Sequence, residues 1–486
     1  MAYSTIDKQS SHFVTKLYSG TGSSNAITGL NFRPDFTWVK RYDSGTNNHR
    51  MANSVTGAAE VHSANLQNVG ADATYFSSFD ANGFTVGTAA DPNASGGSYV
   101  SWNWRAGGAN PTKTYKVVVV SDSGNKYRFR NSTDTATFGA SAQTLDLQEG
   151  GTYTFDVSDS TMNSHPFVLG TSSGVDGSYS TGVTYKLDGV TKTYSQYTSG
   201  FSSATSRQLI ITVAASAPTL YYNCSVHSGM GGAINTNDTT GSSNFAGSIQ
   251  SKISTNSTSG FSIVQWTGTG STATIGHELG SKPELIIIKN LDSTTDWRVF
   301  HHKIPGTLGT RSVRLNNTDY YNSDNSHFND TAPGDSVITL GSSTSTNGNG
   351  TRYVAYCYKG ITGFSRFGSY QGNGNADGTF IYTGFKPAFF IFKRIDAGSE
   401  NWAFLDEARN YANVSNHTLA ANSANAESSF GGGENVFGGS NKVDILSNGI
   451  KIREASNYNN TSGATYLYIA FGQTLVGSNN VTATAR

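Results

Sequence analysis

Four residues in the middle of the chain have the types and spacing to hold a soft or borderline metal. They are His165 and, beginning fifty-nine residues later, the run Cys224-Ser-Val-His227-Ser-Gly-Met230. A thiolate, two imidazoles and a thioether are the donor set of copper electron-transfer sites, in which two His and one Cys lie in a trigonal plane and Met is a weak axial ligand. Copper is therefore the cofactor these residues suit. One His upstream plus a Cys-x-x-His-x-x-Met loop between strands can bring the two imidazoles, the thiolate and the thioether together. The same residues admit a structural reading, with His165 closing a loop and Met230 in the core.

Other chemistry is thin. His301 and His302 are adjacent, and neighbours on a strand point to opposite faces and cannot chelate together. Cys357 lies in the aromatic run Tyr353-Val-Ala-Tyr-Cys-Tyr358 and reads as a small buried hydrophobe. No phosphate loop, zinc-finger spacing or serine-hydrolase elbow occurs. Asp and Glu are scattered, which leaves a glycoside-cleaving pair open but assigns no catalytic residue. The expectation is a protein without enzymatic activity.

The chain balances 33 basic against 33 acidic residues, so no electrostatic field draws it to nucleic acid or an anionic membrane. Its apolar runs, such as 285–288 and 388–392, are five residues or shorter, far below the roughly 18 that a membrane helix needs. The N-terminus Met1-Ala-Tyr-Ser-Thr-Ile-Asp-Lys8 has neither the charged nor the apolar region of a Sec signal. The two cysteines fall in different segments, which argues against an intrachain disulfide and for synthesis in a reducing cytoplasm.

The elements that must position the metal-type residues are strands. Charged residues make up 14% of the chain, against about 25% in ordinary soluble domains, and Gly, Ser, Thr and Asn punctuate short alternating runs. One block occurs three times: an aromatic-x-Gly-x-Gly segment, a Pro followed by an apolar strand ending in Lys, and a Tyr-initiated aromatic strand. The copies begin Tyr18-Ser-Gly20-Thr-Gly22, Trp266-Thr-Gly268-Thr-Gly270 and Tyr370-Gln-Gly372-Asn-Gly374. Their Pro–Lys pairs are Pro34 and Lys40, Pro283 and Lys289, Pro387 and Lys393, always six apart, and their third strands start at Tyr99, Tyr353 and Tyr466. The Pro-to-Tyr spacing stretches from 65 to 70 to 79, as expected of a duplicated β-domain with variable loops.

This reading divides the chain into repeat 1 (1–107), a different sandwich that holds the metal-type residues (112–235), repeat 2 (245–360), repeat 3 (361–474) and a tail (475–486). Polar linkers are expected at 107–111 and 235–244. The three prolines should open their strands, where a missing N–H is tolerated, and the three lysines should end them at solvent. Most large aromatics should be core. The fold class is all-β, a multidomain array of three related jelly-roll or β-sandwich modules with one other sandwich inserted after the first.

Two resemblances sharpen these expectations. The Tyr/Trp-x-Gly-x-Gly, Phe-x-Pro-x-x-x-x-x-Lys and Tyr-x-x-x-x-aromatic blocks, with the C-terminal 477–486, resemble the repeated lectin-like β-domain of structural proteins from marine tailed bacteriophages, including cyanophages. That resemblance implies a virion component, a tail fibre or other exterior appendage, with other virion proteins as partners. It also implies homo-oligomers, trimers by analogy with phage fibres, and a host-surface polysaccharide as a further partner. Members carry Asp and Arg after the Lys strand; repeat 3 has Asp406 and Arg409, whereas repeat 1 has Asn53 and Thr56. The inserted module resembles cupredoxins, and by that resemblance His165, Cys224, His227 and Met230 match the first His, the Cys, the second His and the axial Met. The alternatives are a copper-binding cupredoxin-type protein with adhesion modules, a capsid decoration protein, and a polysaccharide-degrading spike.

Overall fold

The computed structural model describes residues 4–67, 70–107, 110–131, 138, 140–237, 241–398, 400–409, 413–415, 417–427, 443–455 and 458–474. The tail 475–486 therefore lies outside the described residues. The chain is an all-β, multidomain array of sandwiches. Among the described residues the longest helix is Tyr194–Gly200, and no helix is long and apolar enough to cross a membrane. Two compact units form: one contains 1–106, 255–272 and 277–486, and the other contains 107–254 and 273–276. Repeats 1 and 3 and most of repeat 2 share the first unit, whereas 245–254 and 273–276, expected in repeat 2, fall in the second.

In each repeat the motif strands occupy the same places. The sheet of repeat 1 runs in the order Phe13–Ser19, Ser98–Trp104, Phe36–Arg41, Arg50–Asn53 and Gly57–His62. Repeat 3 matches it with Ser365–Gln371, Thr465–Thr474, Phe385–Arg394, Ala403–Asp406 and Leu419–Ala420. Repeat 2 sets Phe261–Thr267, Arg352–Tyr358, Leu285–Asn290, Arg298–His301 and Arg311–Arg314 side by side in that order. The Lys strand and the Tyr strand pair in equivalent register, with Phe36 opposite Trp104, Leu285 opposite Tyr358 and Phe389 opposite Phe471. Pro34 and Pro283 precede their strands as expected. Pro387 instead lies inside its strand, where the ladder slips between Pro387 and Phe389, a place that tolerates a missing N–H.

An asparagine six residues before each strand-opening Tyr explains the Gly-x-Gly segment. Asn347 Oδ1 accepts from Thr269 N at 2.9 Å, while its Nδ2 donates to Ser271 O at 2.6 Å and Gly341 O at 2.9 Å. Asn93 and Asn460 make the corresponding bonds to Thr21 N and Asn373 N at 2.9 Å each. The loop so gripped passes very close to the backbone. A Cβ on Gly20, Gly268 or Gly372 would sit 2.1–2.3 Å from a carbonyl oxygen, and Gly22, Gly270 and Gly374 have φ of +72°, +71° and +68°. The leading aromatic stacks on the Tyr, with ring centroids 5.2 Å apart for Tyr18–Tyr99, 5.4 Å for Trp266–Tyr353 and 4.8 Å for Tyr370–Tyr466. Asn347→Ala is therefore expected to cost about 2 kcal/mol in urea denaturation, since it removes a fully buried amide that holds three backbone groups, Gly341 O among them buried. Asn349→Ala, on the same turn but exposed, should leave the midpoint unchanged.

Alternate residues of the motif strands enter different cores, so these strands are buried on both faces and read as near-continuous apolar runs. Phe389 and Ile391 join Phe36, Trp38, Trp102, Leu285 and Ile287 in a core common to all three repeats, whereas Phe390 and Phe392 fill the interior of repeat 3. Aromatic pairs cross between repeats in the common core, among them Phe36–Tyr356 at 4.3 Å and Trp102–Phe404 at 4.6 Å.

The lysines correct the sequence expectation: Lys40, Lys289 and Lys393 are fully buried, not solvent-facing. Each Nζ donates to one carbonyl of its own repeat and one of another. Lys40 reaches Asn47 O and Ala424 O, both at 2.6 Å; Lys289 reaches Thr295 O at 3.0 Å and Gln67 O at 2.9 Å; Lys393 reaches Glu400 O and, at 2.7 Å, Thr318 O. Repeat 1 thus bonds to repeat 3, repeat 2 to repeat 1, and repeat 3 to repeat 2, which closes a ring. Trp297 and Trp402 Nε1 follow the same direction, to Ser63 O at 2.9 Å and Arg314 O at 2.7 Å, and His49 Nε2 completes it with Ala420 O at 2.9 Å. One chain thereby builds a pseudo-threefold body from its three repeats.

The inserted unit is a sandwich of a six-stranded and a four-stranded sheet. The larger runs Asn125–Arg130, Thr112–Ser121, Thr152–Asp156, Arg207–Thr212, Val183–Leu187 and Val190–Lys192; the smaller runs Leu145–Gln148, Gly232–Asn237, Leu220–Cys224 and Phe167–Gly170. Tyr115, Tyr153, Phe155, Phe167 and Tyr222 fill its interior. Of the expected linker 235–244, residues 238–240 lie outside the described residues, and the rest departs from the expectation because 235–237 end the strand Gly232–Asn237. Ser242–Asn244 is a buried strand, and Phe245 beyond it stacks on Phe129 at 4.8 Å in the core of this unit. Part of the other expected linker, at 108–109, lies outside the described residues.

Candidate metal centre

Two neighbouring strands of the smaller sheet bring the metal-type residues together. Phe167–Gly170 and Leu220–Cys224 pair antiparallel with Phe167 opposite Cys224. Immediately before Phe167, a turn at Ser160–Met162 delivers His165, whose N–H donates to Met162 O at 2.8 Å. Beyond Cys224, Ser225 N donates to Pro166 O at 3.0 Å, so the chain turns back over the His165 strand and presents His227 to the same point. The Cys224–Met230 run is a loop between strands, as the sequence reading expects, and the register places His165 beside it, just before its own strand.

The donor atoms form a small triangle. His165 Nδ1 and His227 Nδ1 are 3.1 Å apart, and Cys224 Sγ lies 4.0 Å from the first and 3.6 Å from the second. A metal roughly 2.0–2.3 Å from two nitrogens and a thiolate in a trigonal or tetrahedral arrangement requires donors about 3.3–3.8 Å apart. The three measured edges straddle that range, so the donor set fits an ion of this class with shifts of a few tenths of an ångström. Cys224 is fully buried, His165 is 9% exposed and His227 is open to solvent. Met230 follows on the same loop with its side chain buried, and its carbonyl accepts from Tyr127 N at 2.8 Å.

The surroundings hold the first imidazole in place. Tyr127 hydroxyl donates to His165 O at 2.9 Å, and the Asn125 amide lies 3.4 Å from His165 Nε2. With Nδ1 committed to a metal, Nε2 carries the proton, and the Asn125 amide turned to present Oδ1 is the acceptor it needs. Burial, and then the adjacent His227 imidazole, lowers the His165 pKa below its ordinary value, which favours the neutral ligand form. Asn125 and Tyr127 were not singled out in the sequence; the alternation of 125–130, with Tyr127 and Phe129 buried, is the only signal that could have placed them.

The other sequence candidates resolve differently. His301 Nε2 bonds to Tyr468 O at 3.2 Å and His302 Nε2 to Phe367 O at 2.7 Å, each a separate structural tie. Cys357 is fully buried in its strand, and burial raises its thiol pKa. Asp406 and Arg409 form a buried ion pair at 2.7 Å.

Fold and site together define a class: an all-β array of sandwiches, one of which carries a His₂Cys cluster. The chain belongs to the family described as Domain of unknown function (DUF7483), which matches residues 8–152 and 233–474. The match spans all three repeats and both ends of the inserted unit but breaks across 153–232, so His165, Cys224, His227 and Met230 all lie outside it. Comparison with curated proteins returned no match.

Proposed function

We propose that this protein is a non-catalytic structural component of the exterior of a tailed-phage particle, and that its inserted sandwich binds a copper-type metal ion as a staple. The observation that carries the metal reading is the triangle of His165 Nδ1, His227 Nδ1 and Cys224 Sγ, all within 4.8 Å of one another at one end of the sandwich. When bound, the ion would join two strand ends and a loop through the side chains that meet there. The phage reading is supported by the repeat motifs. A structural role for the repeats is supported by how their signature polar residues are used: the lysines and asparagines hold backbone, and Asp406 and Arg409 hold one another, Trp102 and Glu427.

Titration of the full chain with Cu(II) tests the metal reading. Expected are a visible thiolate-to-copper charge-transfer band and a melting temperature that rises with free metal, as binding to the folded state requires. Cys224→Ala should remove both, and His227→Ala should weaken both. A titration that produces neither a band nor added thermal stability overturns the site. Immunogold labelling of purified phage with antibody against 261–473 tests the phage reading separately: label on tail or head appendages supports it, and unlabelled particles reject it.

A further inference from the structure

A cleft of about 390 Å³ opens in the repeat body where repeats 2 and 3 meet, within the size range of small-ligand sites. Repeat 2 contributes Glu284, His302 and Lys303; repeat 3 contributes Arg366, Thr383 and Tyr468. The walls are fixed. His302 N donates to Glu284 O at 2.9 Å, its Nε2 donates to Phe367 O at 2.7 Å, and Glu284 Oε2 lies 3.5 Å from the same nitrogen. Because a carbonyl only accepts, Nε2 carries the proton in this arrangement. Gly368 keeps the cleft in shape: a Cβ there would lie 2.5 Å from the Tyr468 hydroxyl and push the ring out of place.

Two features point to a ligand. Glu284 is engaged with His302 and with Gly360 N, while Lys303 and Arg366 have no carboxylate partner among the described residues, so the cleft offers two cations to an incoming anion. Arg366 also reaches out of the cleft, with its guanidinium 5.5 Å from the centre of the Tyr382 ring. Tyr382 and Phe380 are the outward residues of Phe380–Tyr382, the edge strand of the small sheet it forms with Gly449–Ile452 and Val443–Leu446. They are 48% and 43% exposed, with Ile381 turned into the core between them. Two aromatic faces on one side of an edge strand, about 7 Å apart along it, continue directly from the cleft through Arg366 and Thr383. Single exposed aromatics are ordinary; a pair abutting a cationic cleft is a shaped surface.

The geometry points to an anionic saccharide as the occupant of this cleft. Its carboxylate or sulfate would meet Arg366 and Lys303, its hydroxyls would donate to Glu284, and an adjoining sugar ring would lie on the Tyr382–Phe380 face. This deepens the exterior-appendage reading and rests on it for where such a glycan is met, but it does not involve the metal centre.

The test is calorimetric titration of the full chain with oligogalacturonate, dextran sulfate and neutral dextran of matched length. One or both anionic chains should bind at least roughly tenfold more tightly than neutral dextran, and the affinity should fall as salt is raised. Arg366→Ala and Tyr382→Ala should each weaken binding by roughly tenfold or more. Tyr320→Ala, another exposed aromatic outside the cleft, should leave it unchanged. All three positions are exposed, and unchanged melting curves will show that the variants fold. Equal affinity for neutral dextran, no binding to any probe, or full binding by Arg366→Ala and Tyr382→Ala overturns the proposal. Those results would leave the phage reading to be judged by immunogold labelling alone.

Discussion

Replacing Asp406 by alanine is expected to destabilise the protein by about 3 kcal/mol or more, because it removes the acceptor shared by three buried donors, one of them a guanidinium. Both side chains are essentially inaccessible, and Asp406 accepts from Arg409 N at 2.9 Å, Arg409 Nε at 2.7 Å and Trp102 Nε1 at 3.3 Å. Arg409 also bonds to Glu427, so the variant keeps one counter-charge but loses the oxygen that orients the guanidinium. The Trp102 bond adds a consequence across repeats, because that indole belongs to the common core. Repeat 1 shows what a neutral solution looks like. Its equivalent residue, Asn53, holds Val55 N and Thr56 N with Oδ1 and donates to Tyr356 hydroxyl at 3.0 Å. The double variant Asp406→Asn/Arg409→Thr should therefore recover much of the stability lost in Asp406→Ala. Guanidinium denaturation of the three proteins checks this, and a double variant no better than Asp406→Ala would show that the ion pair contributes more than the avoidance of a stranded charge.

The second large effect is an alkaline stability optimum. Burial lowers the pKa of Lys40 and Lys393 to about 7 and of Lys289 to about 8. A neutral amine has two N–H groups, and each of these nitrogens has two carbonyl partners. Between about pH 8 and 10 the folded chain has released protons that an unfolded lysine keeps until about pH 10.4, so unfolding takes up protons and stability rises with pH. Each lysine adds a slope of up to about 1.4 kcal/mol per pH unit. The contribution is complete above the unfolded lysine pKa and is lost as pH falls through the folded one. Buried histidines act in the same direction at lower pH: burial lowers His62 and His301 to about 3 and His327 to about 4. Their contribution is complete above about pH 6.5 and is lost as pH falls toward those values. Buried tyrosines such as Tyr358 and Tyr370, whose pKa burial raises, set the upper limit, since unfolded tyrosines ionise first above about pH 10. Denaturation midpoints should climb from pH 6 to pH 9, and Lys289→Met should flatten the pH 8–9.5 slope by about one proton whatever it does to absolute stability. An optimum at or below pH 7 would show that the lysines stay charged in the fold.

Much of this architecture is written locally. The six-residue Pro–Lys spacing, the Gly-x-Gly segments and the Tyr strands mark the three repeats because a strand of fixed length and a loop passing against backbone tolerate few substitutes. The metal-type residues are legible for a similar reason. A donor set of this chemistry on a three-residue spacing needs only one strand pair to close, and Phe167 opposite Cys224 supplies it. The residue that grips each Gly-x-Gly loop, Asn six positions before the Tyr, was also available as a fixed spacing, but asparagine is so common in this chain that the signal was hidden among turn residues.

What the tertiary structure alone decided is everything that depends on which repeat meets which. Lysine is ordinarily a surface residue, and nothing local tells that the end of its strand is roofed by a carbonyl of another repeat. Asn235–Asn244 has a linker's composition, yet the buried strand at its end and the core ring of Phe245 belong to the inserted unit. The cleft between Arg366 and Lys303 joins residues sixty-three positions apart that share no motif. The sequence by itself determined the strand types, the threefold repetition and the cluster of His165, Cys224 and His227, because these rest on spacing along the chain. The ring of repeats, the buried lysines and the cleft arise from contacts between distant segments, and those exist only once the common core has closed.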